Sequence, residues 1–341
     1  MKSLLLPTLI AAGGIYLIER FCLPSVNPYY VTVMYAAGFN IIMAVSLNVI
    51  NGFTGHFSLG HAGFMAVGAY ASAGITCKHI EALRGALIFC PEPVANSLIL
   101  LSVLLVGGVC AAMAGLIVGL PTLRLKGDYL AIATLGFGEI IRIIINNIGS
   151  LGGGRGLPNI PPLTNFFWTF LCVVVTILTL RNYTRSSHGK ALLAIREDEL
   201  AAEMVGINTT RYKVVAFVMG AFFAGIAGGL FAHYNNFISP NGFDFIQSVI
   251  FVVMVVLGGM GSITGSVLAA VFLTALPQFL SPLTRLMETW HLAGDPKNVI
   301  YPLLLIVMML TRPKGLLADK ELSWAGVQSV FLRLRRGHAA S

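Results

Sequence analysis

Apolar residues arrive in long runs along this chain, separated by short polar stretches. The runs lie near 4–22, 31–50, 57–76, 96–119, 128–147, 163–180, 212–233, 245–259, 263–280 and 298–311. A helix needs about 20 apolar residues to cross hydrocarbon, so the chain has room for about ten spans and little else. The pattern predicts an all-α polytopic membrane protein, a single transmembrane domain over residues 1–341. The third and fifth runs are rich in glycine or polar residues. Either could be broken or re-entrant, which is tolerated where backbone is buried in protein. The first run, Leu4–Ile18, is read as a retained span, because no small-x-small cleavage site follows it.

One long stretch breaks the apolar pattern. Residues 187–208 carry Lys190, Arg196, Glu197, Asp198, Glu199 and Glu203, and hydrocarbon cannot hold them at acceptable cost. The stretch must therefore lie in water or against another protein. It also predicts order. Ala191–Ile195 and Leu200–Val205 are good helix formers, and Gly206 suits a C-terminal cap. Two short helices between spans make a compact knob. Ala194, Ala201 and Ala202 are small enough to dock closely in a groove, while Glu197, Asp198 and Glu199 can orient the knob electrostatically.

Charge sets the orientation. With the amino terminus inside and ten alternating spans, cytoplasmic positions hold 15 of the 22 Lys and Arg residues and outer loops hold 6, counted along the chain, with Arg142 inside a segment. The bias places both termini and the 187–208 loop in the cytoplasm, with 317–341 as a cytoplasmic tail. Composition agrees: 56% hydrophobic and 11% charged residues exclude an ordinary soluble globular protein. The net charge of +8 therefore reflects membrane orientation and does not imply nucleic acid. The Arg333-Leu334-Arg335-Arg336 end suits anionic lipid.

Several motifs carry candidate chemistry. After the second run comes Gly52-x-x-Gly55-x-x-Ser58-Leu59-Gly60-His61, continuing to Tyr70. Its small residues permit close packing or a broken helix facing a solute path. Ser58, His61 and Tyr70 are the candidate pathway groups there. His56 and His61 lack a third ligand, so no metal is expected. Glu139 and Arg142 are three residues apart in the fifth run, so they share a helix face and can pair at membrane depth. Gly152–Pro158 reads as a flexible outer loop. On the seventh run, Gly220, Ala224 and Gly228 form one small-residue stripe, and Ala221, Gly225 and Gly229 form another. Cys77 and Cys90 bracket one polar loop, as free thiols or as a bridge.

Gly189-x-Ala191-x-x-Ala194-Ile195-Arg196-Glu197-Asp198-Glu199-x-Ala201-Ala202-x-x-x-Gly206 resembles the coupling loop of bacterial ABC-importer permeases. In detail it is similar to the LivM-type permeases of branched-chain amino acid importers. The stretches around Gly52–Tyr70, Leu123–Arg142, Gly258–Ser262 and Arg312–Leu316 carry the same resemblance. One departure is Leu151-Gly152-Gly153, where the family usually has Thr-Gly-Gly. The resemblance implies a bacterial inner-membrane permease, working by alternating access with a second homologous permease. It also implies two cytoplasmic ATPase subunits holding ATP and Mg, a periplasmic solute-binding protein, and no cofactor on this chain. Branched-chain amino acids are the implied solutes, with urea, amides or other amino acids handled by close relatives.

Absent motifs narrow the rest. Gly189-Lys190 is followed by Ala191, so there is no phosphate loop, and no nucleophile stands beside a base. The chain is therefore not expected to be an enzyme. An ion-coupled secondary carrier is the competing class. It would want free midplane carboxylates, whereas Glu139 already has Arg142.

Overall fold

The computed structural model describes residues 2–86, 91–123, 125, 127–289, 303 and 307. Eleven α-helices account for most of these residues, and no strand occurs among them. In chain order they are α1 (Lys2–Leu17), α2 (Pro28–Asn48), α3 (His61–Ala86), α4 (Glu92–Thr122), α5 (Asp128–Asn147) and α6 (Phe166–Arg185). There follow α7 (Ser187–Glu197), α8 (Glu199–Met204), α9 (Thr209–Asn235), α10 (Phe245–Gly258) and α11 (Ile263–Thr289). The first nine apolar runs each coincide with one long helix. Of the tenth, 298–311, only 303 and 307 are described, and Cys90, Arg124, Lys126 and the 317–341 tail lie outside the described residues.

Among the described residues, five segments are long and apolar enough to cross a membrane: Pro28–Phe53, Glu92–Thr122, Phe166–Arg185, Thr209–Asn235 and Pro240–Gly258. Local chemistry starts several of the helices. Asn27, Asp198, Asn208 and Asp244 each accept a hydrogen bond from a first-turn amide of α2, α8, α9 and α10 respectively. Two expectations need correction. The fifth run is an unbroken helix, α5. Residues 149–156 are also not loose: Gly152 and Gly156 take φ of +85° and +80° in tight turns, and the Leu157 N–H donates to Ile238 O at 2.8 Å.

α9 is the central post, and both of its small-residue stripes are used. Gly225 faces Gly107, Gly108 and Ala111 of α4, and Gly68 of α3 abuts its backbone. Gly228 lies on the backbone of Met65, Gly220 on Ile50 and Ala221 beneath Gly115. A Cβ at any of these glycines would overlap the neighbouring helix, so small residues set the interhelical distance. α3 runs beside α9 in the same direction. Phe64 meets Phe217 at 5.4 Å between ring centroids, and Thr76 meets His233 at 3.0 Å further along. The result is a tight α3–α4–α9 core, with α2, α10 and α11 closed against one side.

Candidate functional site

The glycine-rich stretch after α2 does not continue as α-helix. α2 widens into one π turn, Val49–Phe53, and helix resumes only at His61. Gly55 takes φ of +72°, which a residue with a Cβ adopts at a cost. Buried amides hold the break in place. The Asn51 Oδ1 accepts from Ser58 N–H at 3.1 Å, and Thr134 Oγ1 of α5 accepts from Leu59 N–H at 3.0 Å. Asn48 ties in the α10–α11 turn. It donates to Ser262 O and Ser266 Oγ, and accepts from Gly261 N–H, each at 2.9 Å. Gly52 is obligatory here, because a Cβ would fall on the Asn48 amide and the Gly261 backbone. One junction thus joins the end of α2, the start of α3, α5 and the α10–α11 turn.

Ser58 and His61 are fully buried at this junction. Nε2 of His61 bonds Ser46 Oγ at 2.8 Å, while His61 Nδ1 and Ser58 Oγ have no partner among the described residues. Tyr70 is buried further along α3, donating to Ile238 O at 3.4 Å. Ser58 and His61 are thus both buried at the α2–α3 junction, and Tyr70 stands further along α3.

The polar stretch folds as the two short helices α7 and α8. Gly189 is buried where a Cβ would overlap the Thr184 backbone, so α7 turns directly off the end of α6. Leu192 and Ile195 point inward, and Ala194 is half-buried. Arg196 reaches the junction: its Nη1 donates to Gly52 O at 3.0 Å, and its stem fills the space beside Gly55. Its Nη2 bonds exposed Glu197 at 3.2 Å. Asp198 is extended and caps α8, accepting from Leu200 N–H and Ala201 N–H at 2.9 and 3.1 Å. Gly206, at φ +86°, closes α8, with Ile207 N–H donating back to Ala202 O at 3.0 Å.

Two residues of this element lie differently from the expectation. Ala202, expected to dock in a groove, is only 3% exposed and faces the protein's own interior. Glu199, expected to orient the knob, is engaged within the chain. It pairs at 2.6 Å with Lys213 of α9, an ammonium only 3% exposed. The outward side of α8 carries residues that sequence reasoning took only for helix formers. Met204 is 90% exposed, and Leu200 and Val205 are exposed beside it with Ala201. Their signal was an apolar group inside a polar, water-bound stretch. Lys213 was read only as a charge that sets orientation.

His56 lies between this ion pair and the junction, with Nδ1 bonded to Thr54 O at 2.9 Å. Burial, and then the Lys213 charge, lower its pKa from the usual 6.5. A depressed histidine pKa gives stability that is present above the usual value and lost as pH falls through the folded one. Acidification from about pH 7 to pH 5 is therefore expected to lower the melting temperature of the purified protein. His56→Gln should remove that part of the slope. An unchanged slope in the variant would count against His56 as its origin.

Glu139 and Arg142 pair on α5 at 2.7 Å, and Arg142 Nη1 also donates to Asn241 at 3.3 Å.

Comparison with known proteins places the chain among transport proteins. The family described as branched-chain amino acid transport system, permease component, matches residues 29–311. The high-affinity branched-chain amino acid transport system permease protein LivM of Salmonella typhimurium is 34% identical over 343 residues, covering 90% of this chain and 72% of that protein. Its Escherichia coli K12 counterpart is 35% identical over 312 residues, covering 81% and 67%. The permease protein LivH of Escherichia coli K12 is 31% identical over 153 residues, covering 45% of this chain and 46% of that protein. No solved structure matches.

Proposed function

Because the chain belongs to the family of branched-chain amino acid transport system permease components, we propose that it is one of two permeases in an ATP-driven importer of leucine, isoleucine and valine. It lies in the bacterial inner membrane with about ten spans and both termini cytoplasmic, which the distribution of Lys and Arg supports. Its partner permease is a homologue, and a periplasmic binding protein delivers the solute. Two cytoplasmic ATPase subunits hold ATP and Mg. Coexistence of LivM-type and LivH-type relatives in one organism supports the paired arrangement.

The α7–α8 element docks on an ATPase subunit. The observation that carries this reading is the exposed apolar face of Leu200, Met204 and Val205 on a helix otherwise anchored inward. Such a face in water is unfavourable until a partner covers it. ATP-driven closure then moves α7 and α8 as a unit. Arg196 passes that motion to Gly52, at the α2–α3 junction, and the Glu199–Lys213 pair passes it to α9.

Val205→Glu places a charge on the docking face without touching the anchors. Membrane levels should be unchanged, while copurification of the ATPases and uptake fall by about tenfold or more. Normal copurification would remove this face from the interface.

A further inference from the structure

Resting on the importer reading, we propose that Glu139 and Arg142 form a receptor for a zwitterionic amino acid on a water-filled path between this chain and the second permease. α5 is not one of the five most apolar segments named above, but on the ten-span reading it crosses the membrane: Asp128–Asn147 is 20 residues or about 30 Å, the thickness of the hydrocarbon core. Glu139 stands near its middle and Arg142 about one turn further towards its C-terminal end. They are 29% and 30% exposed on the surface of this chain. An ion pair at that depth does not face lipid tails at acceptable cost.

Further polar groups stand beside the pair, among exposed isoleucines. Arg142 donates to Asn241, which is itself exposed, and the half-exposed Asp244 lies three residues on. Asn241 belongs to the turn Pro240–Phe243, which packs against α5, and Asp244 follows as the cap of α10. Ser248 of α10 accepts a hydrogen bond from Ala62 N–H at 3.3 Å, so α10 begins beside the start of α3 and close to the buried junction. Gly136, one turn from Glu139, has open space where a Cβ would stand. A strip that mixes polar groups, a backbone approach and exposed isoleucines therefore follows α5 on an outward face. It requires cover by protein and water, and the second permease supplies the other wall.

The pair also matches its ligand in charge. An amino acid carries one carboxylate and one ammonium. Arg142 can take the carboxylate and Glu139 the ammonium as their own contact opens, and net charge in the membrane stays constant. The exposed apolar neighbours Ile140 and Ile143 suit an aliphatic side chain.

Cysteine accessibility in the assembled importer tests the proposal. The five native cysteines are first replaced by serine or alanine. Ile143→Cys then reports the strip, and Ile117→Cys, on an exposed apolar face of α4 away from the pair, serves as control. Both are treated with a charged, membrane-impermeant thiol reagent in proteoliposomes that hold both permeases, the ATPases and the binding protein. Position 143 should react, leucine should slow the reaction during turnover, and position 117 should stay inert. Adding Arg142→Gln should abolish the protection by leucine. An inert position 143, or modification at the same rate with and without leucine, overturns the proposal. ATP-driven leucine uptake measured in the same vesicles separates the two readings. Uptake with an inert position 143 rejects only the receptor, whereas absence of uptake from a correctly assembled complex rejects the importer reading.

Discussion

Replacing Arg196 with methionine is expected to leave the permease in the membrane and the ATPases bound, yet to cut uptake by about ten- to a hundredfold. The side chain belongs to α7 but ends on the Gly52 carbonyl, outside its own helix. Methionine keeps most of the stem that packs beside Gly55 and removes only the guanidinium. A hydrogen bond with one charged partner contributes about 1.5–3 kcal/mol, or one to two decades in an equilibrium between coupled and uncoupled states. The loss should fall on coupling, because the exposed α8 face is untouched. ATP hydrolysis should therefore continue while its dependence on solute weakens. Uptake and solute stimulation at wild-type levels would show that the junction moves by another route.

Glu199→Lys is expected to be more damaging still, and for a different reason. Lys213 is almost wholly buried, and its ammonium rests on Glu199. Stranding a buried charge costs about 3–5 kcal/mol, and a second ammonium in place of the carboxylate adds repulsion. Because Glu199 itself keeps some contact with solvent, the lower end of that range is the better figure. α8 should detach from α9, ATPase binding should disappear, and limited proteolysis should cut between residues 198 and 208. The apolar pair Glu199→Leu with Lys213→Met should restore protease resistance, since no charge is then left unpaired. Equal sensitivity of the single and paired variants would mean that the contact does not hold the element.

Much of this architecture was legible in the chain, for identifiable reasons. Charged residues cannot enter hydrocarbon, so the 187–208 stretch stood out and its two helices could be drawn. Gly206 marked its end because a left-handed residue closes a helix most easily as glycine. The small-residue stripes of α9 were visible because close helix contact admits few other residues. The phase of α8 was not legible. It has six residues, with apolar groups on both sides, so periodicity cannot say whether Ala202 or Met204 faces inward. Nor was the Glu199–Lys213 anchor, which closes across a turn between two helices. The π turn at Val49–Phe53 is invisible in an apolar run, and the partners of Asn48 lie more than 200 residues away. Folding supplied these contacts, and among them are the ones that link α7 and α8 to the long helices.

The central claim is that the outward face of α8 is the surface on which the ATPase acts. A photo-crosslinking amino acid at position 204, in the working importer, tests it most directly. The account predicts an ATP-dependent crosslink to the ATPase subunit from position 204 and none from the inward position 202. Leucine uptake that proceeds with no crosslink from position 204 in any nucleotide state would contradict it.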